Sequence, residues 1–231
     1  QVDVHLLTCG TTWIYGKTCI IPTPETAPRN PQNDYAQKKV DIEKILLSYT
    51  RDGNIQATLI HPTHITGPGK PFITPFGDNN LKTLQDMMNG KEVYLLDGGF
   101  STLQHVHPAD IAFLFLRCIE EKDYTIGECF NCGGTHAMTF YGLGHYLAQL
   151  MDVEFHYRNI SIEEYAENFG YPTMAADHVR QGCCVSMSKS MEMLNFSPRY
   201  SPEDAVREAL NDLILQKKLS WGKTNEHLQR L

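Results

Sequence analysis

The sequence predicts an α/β fold built on a mostly parallel sheet. Strand-like and helix-like stretches alternate along the chain, the arrangement that packs helices on a parallel sheet. The strand-like stretches are short apolar runs closed by turn residues, and the helix-like ones repeat apolar residues every three or four positions. The 231 residues, 42% hydrophobic and 20% charged, are enough to bury a core without disulfide staples.

The elements follow in order. Val2–Thr8 reads as a strand ending at Cys9-Gly10, and residues 17–33, with four prolines, read as a long loop. Asn33 or Asp34 caps a helix from Tyr35 to Tyr49, with apolar residues at Val40, Ile42, Ile45, Leu46 and Tyr49, stopped by Asp52-Gly53. Gln56–His61 is a second strand, and Leu81–Asn89 a helix stopped by Gly90. Glu92–Leu96 reads as a strand with a turn at Asp97-Gly98-Gly99. Pro108 opens an apolar helix over Ala109–Ile119, and Glu128–Cys132 is a third buried strand closed by Gly133-Gly134. Thr139 caps a helix through Leu150, Val153–Tyr157 reads as a strand, and Ile162–Phe169 and Ser201–Lys217 read as helices. The last 25 or so residues are polar and expected to fray.

Composition excludes several function classes. The net charge of −7 and the lack of any Lys/Arg block argue against nucleic acid or an anionic membrane as partner. No apolar run approaches the roughly 18–20 residues of a membrane span, and QVDVHLL has no signal-peptide pattern. Seven irregularly spaced cysteines, among them the lone Cys129-x-x-Cys132 and the adjacent Cys183 and Cys184, read as reduced thiols of a cytoplasmic protein. His61 and His64, and the His105-x-His107 pair, invite a metal, but neither pair brings the further ligands a site needs, so none is expected. Trp13 and Phe72 are aromatic candidates to stack on a substrate ring, or lids on the core.

Three segments carry chemistry together. Thr11-Thr12-Trp13-Ile14-Tyr15-Gly16 follows the first strand, Tyr35-x-x-x-Lys39 opens the first helix, and His61-Pro62-Thr63-His64 follows the second strand. Tyr35 and Lys39 share one helix face. A phenol is a poor base at neutral pH, and a nearby ammonium favours its phenolate. A hydroxyl from another element can then hold the substrate oxygen while a nicotinamide takes the hydride. Open α/β sheets place ligands beyond the carboxyl ends of their strands, where all three segments lie.

The run LLTCGTTWIYG, the Pro-rich loop with Glu25 and Pro31, DYAQKKVDIEKIL, LIHPTHITGPG, HVHPADIA and GECFNCGG together make the sequence resemble the extended short-chain dehydrogenase/reductases, the NAD-dependent epimerase/dehydratases. Within them it is most similar to an epimerase-like branch with CGTTW and HPTHITGPG variants.

The resemblance implies a Rossmann-type doubly wound parallel sheet, its C-terminal half present, over residues 1–66 and 108–134, with a smaller α+β substrate-binding domain over 67–107 and 135–231. It implies NAD or NADP as cofactor, a small-molecule substrate and a homodimer through a four-helix contact that includes the Tyr35–Tyr49 helix. Thr11 falls on the catalytic Ser/Thr, Tyr35 on the acid/base, and Lys39 on the residue that holds the nicotinamide ribose and tunes the tyrosine. Pro62 and Thr63, with His61 just before them, fall on the nicotinamide side. Thr12, Trp13 and His64 fall on the substrate side, His64 where many members have Asn. His107 and Asp110 match a segment whose Asp is mostly structural.

Three positions depart from the pattern. No G-x-x-G-x-x-G stands near the start, so the Gly-rich half of the cofactor domain is expected from the same full-length polypeptide. Leu103 stands where many nucleotide-sugar enzymes carry a phosphate-binding Arg, and His61 replaces another Arg. Thr12-Trp13 lacks the Asp-Glu pair usual in dehydratases, which leaves redox chemistry or epimerisation. The reading implied is an NAD(P)-dependent oxidoreductase or epimerase acting on a sugar-like or other hydroxyl or carbonyl compound. The alternative is a non-catalytic binding or regulatory protein on the same fold, or an incomplete fragment without cofactor binding.

Overall fold

The computed structural model describes residues 4–70 and 72–220. Strand β1 (His5–Cys9) is followed by a single 3-10 turn, Thr12–Tyr15, and a long loop. Helix α1 (Asp34–Arg51) leads back to β2 (Gln56–Pro62), which lies parallel to β1 with Cys9 opposite Ile60. Asn33 caps α1 through its side chain, which accepts the Ala36 amide. Asp34 in the first turn and Arg51 in the last complement the helix dipole.

A two-residue strand, β3 (His64–Ile65), leaves the sheet and is followed by α2 (Leu81–Met88), β4 (Val93–Leu96), β5 (Thr102–Leu103) and β6 (His105–Val106). Helix α3 (Pro108–Glu120) and the short α4 (Lys122–Thr125) return the chain to the sheet as β7 (Cys129–Cys132), parallel to β2. The order β1-β2-β7 makes β2 central, and from Ala57 to Pro62 it is buried at every position. A parallel strand covered on both faces requires that continuous run of residues that tolerate burial.

Side-chain alternation assigns the two faces. His61 of β2 reaches Glu43 on α1, whereas Thr58, of opposite parity, hydrogen-bonds to the Thr125 carbonyl at the end of α4. Helix α1 therefore covers one face and α3–α4 the other. Helix α3 buries Ile111, Leu114 and Cys118 against the sheet. Its buried Asp110 accepts the backbone amides of Arg199 and Tyr200, which pins a distant segment to the start of the helix.

The rest of the chain contributes β8 (Met138–Thr139), α5 (Phe140–Met151), β9 (Tyr157–Ile160), α6 (Ile162–Phe169), α7 (Thr173–Gln181), α8 (Ser188–Leu194) and α9 (Pro202–Leu215). Strand β3 pairs with β6 and β4 with β9, both parallel, and β5 pairs antiparallel with β8. One apolar cluster joins α2, α5 and α9 around Leu84, Leu147 and Leu210, and another joins β4, β9 and α7 around Leu96, Ile160 and Ala176. The sheet's own cluster extends to Val185, Met187, Leu194 and Phe196, so α8 packs with the sheet. No helix among the described residues is long and apolar enough to cross a membrane.

Two sequence expectations need correction. The strand expected at Val153–Tyr157 lies instead at Tyr157–Ile160, because the Val153 amide bonds back to Ala148 and still belongs to the exit of α5. Helices α7 and α8 were not expected at all. Of the two readings open for Phe72, the structure takes the core one: it is 2% exposed and packs with α2, α5 and α9. The expected strand start at Val2 lies outside the described residues; of the last 25 or so residues expected to fray, those up to Leu215 belong to α9, and those from 221 on lie outside the described residues.

Candidate active site

At the C-terminal end of β1 the chain narrows at Gly10. A Cβ there would lie 2.1 Å from His61 Nδ1, so only glycine lets the imidazole close on the strand end. The Thr11 amide then donates to His61 Nδ1 at 3.3 Å. With Nδ1 accepting, the ring proton sits on Nε2, which lies 3.0 Å from Glu43 Oε2. Arg29 Nε donates to the other carboxylate oxygen at 2.8 Å. Burial would push the Glu43 carboxyl up, but His61 and Arg29 outweigh it and hold the carboxyl below its usual range. His61 thus supports the backbone of the Thr11 turn from beneath, on the α1 face of the sheet.

Cys129 approaches the same cluster, its sulfur within 4.8 Å of the Glu43 and His61 donor atoms. Three ligand types meet there, but burial pushes the Cys129 thiol to about 12, so it is protonated at neutral pH, and Arg29 holds Glu43. The cluster reads as a neutralised polar core.

The turn itself is well fixed. Thr11 Oγ1 accepts the Trp13 amide, and Thr12 Oγ1 donates to the Pro62 carbonyl and lies 3.5 Å from Cys183 Sγ. Tyr15 is buried and donates to Asn131 Oδ1 at 2.8 Å, so this tyrosine is structural. Tyr35, in the first turn of α1, is about half exposed, and its ring meets the edge of Trp13 with centroids 6.4 Å apart. Lys39, one turn on, donates to the Cys9 carbonyl at 3.2 Å and lies 5.8 Å from the centre of the Tyr35 ring. The Thr63 hydroxyl, at the end of β2, is buried without a hydrogen-bond partner.

A pocket of about 660 Å³, its open mouth included, lies beside this turn. Thr12, Trp13 and His64 line it with Leu103, His178 and Cys183. Trp13, His178, His64 and His105 form a chain of edge-on rings, with centroids 5.1, 5.6 and 5.8 Å apart in that order. Burial lowers His64 well below the usual histidine range, and neighbouring His105 and His178 lower it further. His64 Nε2 is buried without a hydrogen-bond partner.

The structure therefore brings Thr12, Trp13 and His64 together around one pocket and sets Tyr35 against Trp13 at its edge. Thr11, Lys39, His61, Pro62 and Thr63 sit at the strand ends beside it and do not line it. His178, Gln181, Cys183 and Cys184 line the pocket and were not singled out from the sequence as site residues. The signal for the helix of His178 and Gln181 was present: Ala175, Ala176 and Val179 make a small apolar stripe, and Gly182 stops it.

The sequence model of the NAD dependent epimerase/dehydratase family matches residues 1–133, more than half of the chain. This chain belongs to the NAD dependent epimerase/dehydratase family. Its fold is shared with RMD from Pseudomonas aeruginosa, solved with NADPH, at a TM-score of 0.73 and 16% identity over 93% of this chain and 68% of that one. UDP-glucuronic acid 4-epimerase from Bacillus cereus, solved with UDP-glucuronic acid and NAD, matches at 0.73 and 17% identity over 92% of this chain and 62% of that one. UDP-glucose 4-epimerase from Thermotoga maritima, solved with UDP-glucose, matches at 0.70 and 21% identity over 92% and 64%. The chain thus spans about two thirds or less of the length of most such structures. At these identities the likeness establishes the Rossmann-type α/β fold.

Proposed function

We propose that this chain carries the catalytic and substrate-binding part of an NAD(P)-dependent oxidoreductase or epimerase acting on a sugar-like or other hydroxyl or carbonyl compound. The observation that supports it most is the placement of Tyr35, with Lys39 beside it, against the Trp13 wall of the pocket. In this reading residues 1–66 and 108–134 hold the cofactor and residues 67–107 and 135–231 shape the substrate site.

The residues present fit the nicotinamide-ribose end of NAD or NADP. The Tyr35 hydroxyl and the Lys39 ammonium share the exposed side of α1, and the buried Thr63 hydroxyl, without a partner, lies at the adjoining strand end. When bound, the nicotinamide supplies the acceptor for a hydride, the hydrogen with its electron pair. Tyr35 takes the proton from the substrate hydroxyl while the carbinol carbon loses its hydride, which leaves a carbonyl. The reverse direction returns both. The Thr11 hydroxyl accepts the Trp13 amide, which leaves its own proton free to be donated to the substrate oxygen. Lys39 holds its charge beside the phenol ring, and His64 offers an unpartnered nitrogen to a second substrate oxygen. Seven free thiols accord with a cytoplasmic enzyme.

The test uses the full-length polypeptide that carries this sequence. Titration with NADH and NADPH, followed by nicotinamide fluorescence, is expected to saturate with one of them. Tyr35→Phe is expected to keep that binding and to lose oxidation of hydroxyl compounds by about 10²-fold or more, the worth of a positioned acid/base. Binding of neither nucleotide would favour a non-catalytic protein, and full turnover by Tyr35→Phe would remove Tyr35 from the reaction.

A further inference from the structure

The pocket beside Tyr35 contains no formally charged side chain. Its walls are Trp13, Leu103, His64, His178, Cys183 and Cys184, with Tyr15, Gln181, threonines, glycines and aliphatic residues between them, and among the described residues that line it there is no Asp, Glu, Lys or Arg. The groups that could ionise are held neutral. Burial lowers His178, and burial with the neighbouring imidazoles lowers His64. Burial pushes the Cys183 thiol to about 11.

Helix α7 adds a second effect. It reaches the pocket with its C-terminal turn, through His178, Gln181 and the capping Gly182. That end of a helix carries partial negative charge, roughly half an elementary charge. An anion entering here would lose its hydration, find no cation to pair with, and face a repelling dipole. A neutral molecule meets the opposite situation. Trp13 and the imidazole rings offer flat apolar area, and His64 Nε2 is a buried polar atom still without a partner. One hydroxyl or carbonyl on an otherwise uncharged molecule would satisfy it.

We propose that the site accepts an uncharged hydroxyl or carbonyl compound and excludes nucleotide-diphosphate sugars and other anions. The proposal rests on the reading that this pocket receives the substrate. It sets this chain apart from the epimerases of Bacillus cereus and Thermotoga maritima that share its fold, which were solved with UDP-glucuronic acid and with UDP-glucose.

Cys183 and Cys184 report on the pocket directly, because both line it. The full-length polypeptide is treated with neutral iodoacetamide or with anionic iodoacetate, and alkylation of the two cysteines is timed by peptide mass spectrometry. The same chain unfolded in urea gives the intrinsic ratio of the two reagents. In the folded protein iodoacetate is expected to fall behind by a further factor of about ten or more, the discrimination one unpaired charge produces at the least. UDP-glucose is expected to leave iodoacetamide labelling unchanged. Leu103→Arg should restore much of the iodoacetate rate. Thr102→Arg, at a half-exposed lining position, serves the same purpose if the buried substitution does not fold.

Equal relative rates for the two reagents, protection of the thiols by UDP-glucose, or failure of iodoacetamide to reach either thiol would each overturn the proposal. Nicotinamide binding and the Tyr35→Phe result do not enter this measurement, so the enzymatic reading and the neutral-pocket reading fail separately.

Discussion

Single residues matter here mainly through protonation and burial. His105 is fully buried, with Nδ1 2.8 Å from Thr66 Oγ1 and Nε2 without a partner. Burial lowers its pKa to about 3. In the unfolded chain a histidine takes a proton near pH 6.5, and the native ring refuses it. Between about 6.5 and about 3 the unfolded state therefore binds the extra proton. Stability contributed by the neutral ring is complete above that window and falls through it as pH drops, at about 1.4 kcal/mol per pH unit per proton. His64 and His178, also lowered, steepen the same limb. Replacing His105 with Gln is expected to make the acid limb shallower by about one proton. Urea unfolding at a series of pH values reads it, and an unchanged slope would count against a neutral native His105. The expectation for His64 rests on a linear motif, and the residue does line the pocket. Its partners His105 and His178 come from a distant strand and helix, and no local pattern brings them together. His61, expected on the nicotinamide side, has its ring engaged by Glu43 and the Thr11 amide, contacts that no linear pattern announces.

Elements were legible in proportion to the strength of their end signals. Helix α1, with Asn33 in front and Gly53 behind, lies where expected, and so does α9, whose Ser201 and Asp204 form a reciprocal cap. Helix α7 has only a narrow stripe of small apolar residues and a closing Gly182, with no side-chain cap at its start, and β9 is mostly exposed, so both carry weak signals. Asn33 does two things at once. Its Oδ1 accepts the Ala36 amide, which orders the turn that carries Tyr35, and its Nδ2 reaches Asp177 of α7 at 3.5 Å. Asn33→Ala is expected to cost about 1 kcal/mol and to speed hydrogen exchange of the Ala36 amide. Asn33→Ser keeps a capping oxygen and gives up the reach to Asp177, so it should restore that protection. If serine fails where asparagine succeeds, the contact to α7, and not the cap, holds the first turn of α1.

At the scale of the whole molecule, the order of three motifs along the chain was enough for the sheet and for Thr12, Trp13 and His64, which share one pocket. The far wall of the pocket was not, because Gln181 to Val185 arrive there only through long-range packing on β5 and the loop after β1. The outer face of α1 raises the remaining question of assembly. Its inner face buries Ala36, Val40 and Glu43, while Ile42, Ile45 and Tyr49 stand about half exposed along the opposite side. These three recur three and four residues apart, so they form one continuous stripe. A contiguous apolar stripe on a long helix is the kind of surface that association covers, and two copies of α1 facing each other would bury both stripes. A homodimer through this face is the expected outcome. Sedimentation equilibrium of the full-length polypeptide is expected to give twice the chain mass. An interface built on this apolar stripe is expected not to weaken as salt rises, since screening acts on charges. Ile45→Glu places like charges opposite each other across the two-fold axis and should yield monomers that keep the far-ultraviolet spectrum of the parent. A parent that sediments as a monomer, or an Ile45→Glu variant that remains a dimer, would move the interface away from α1.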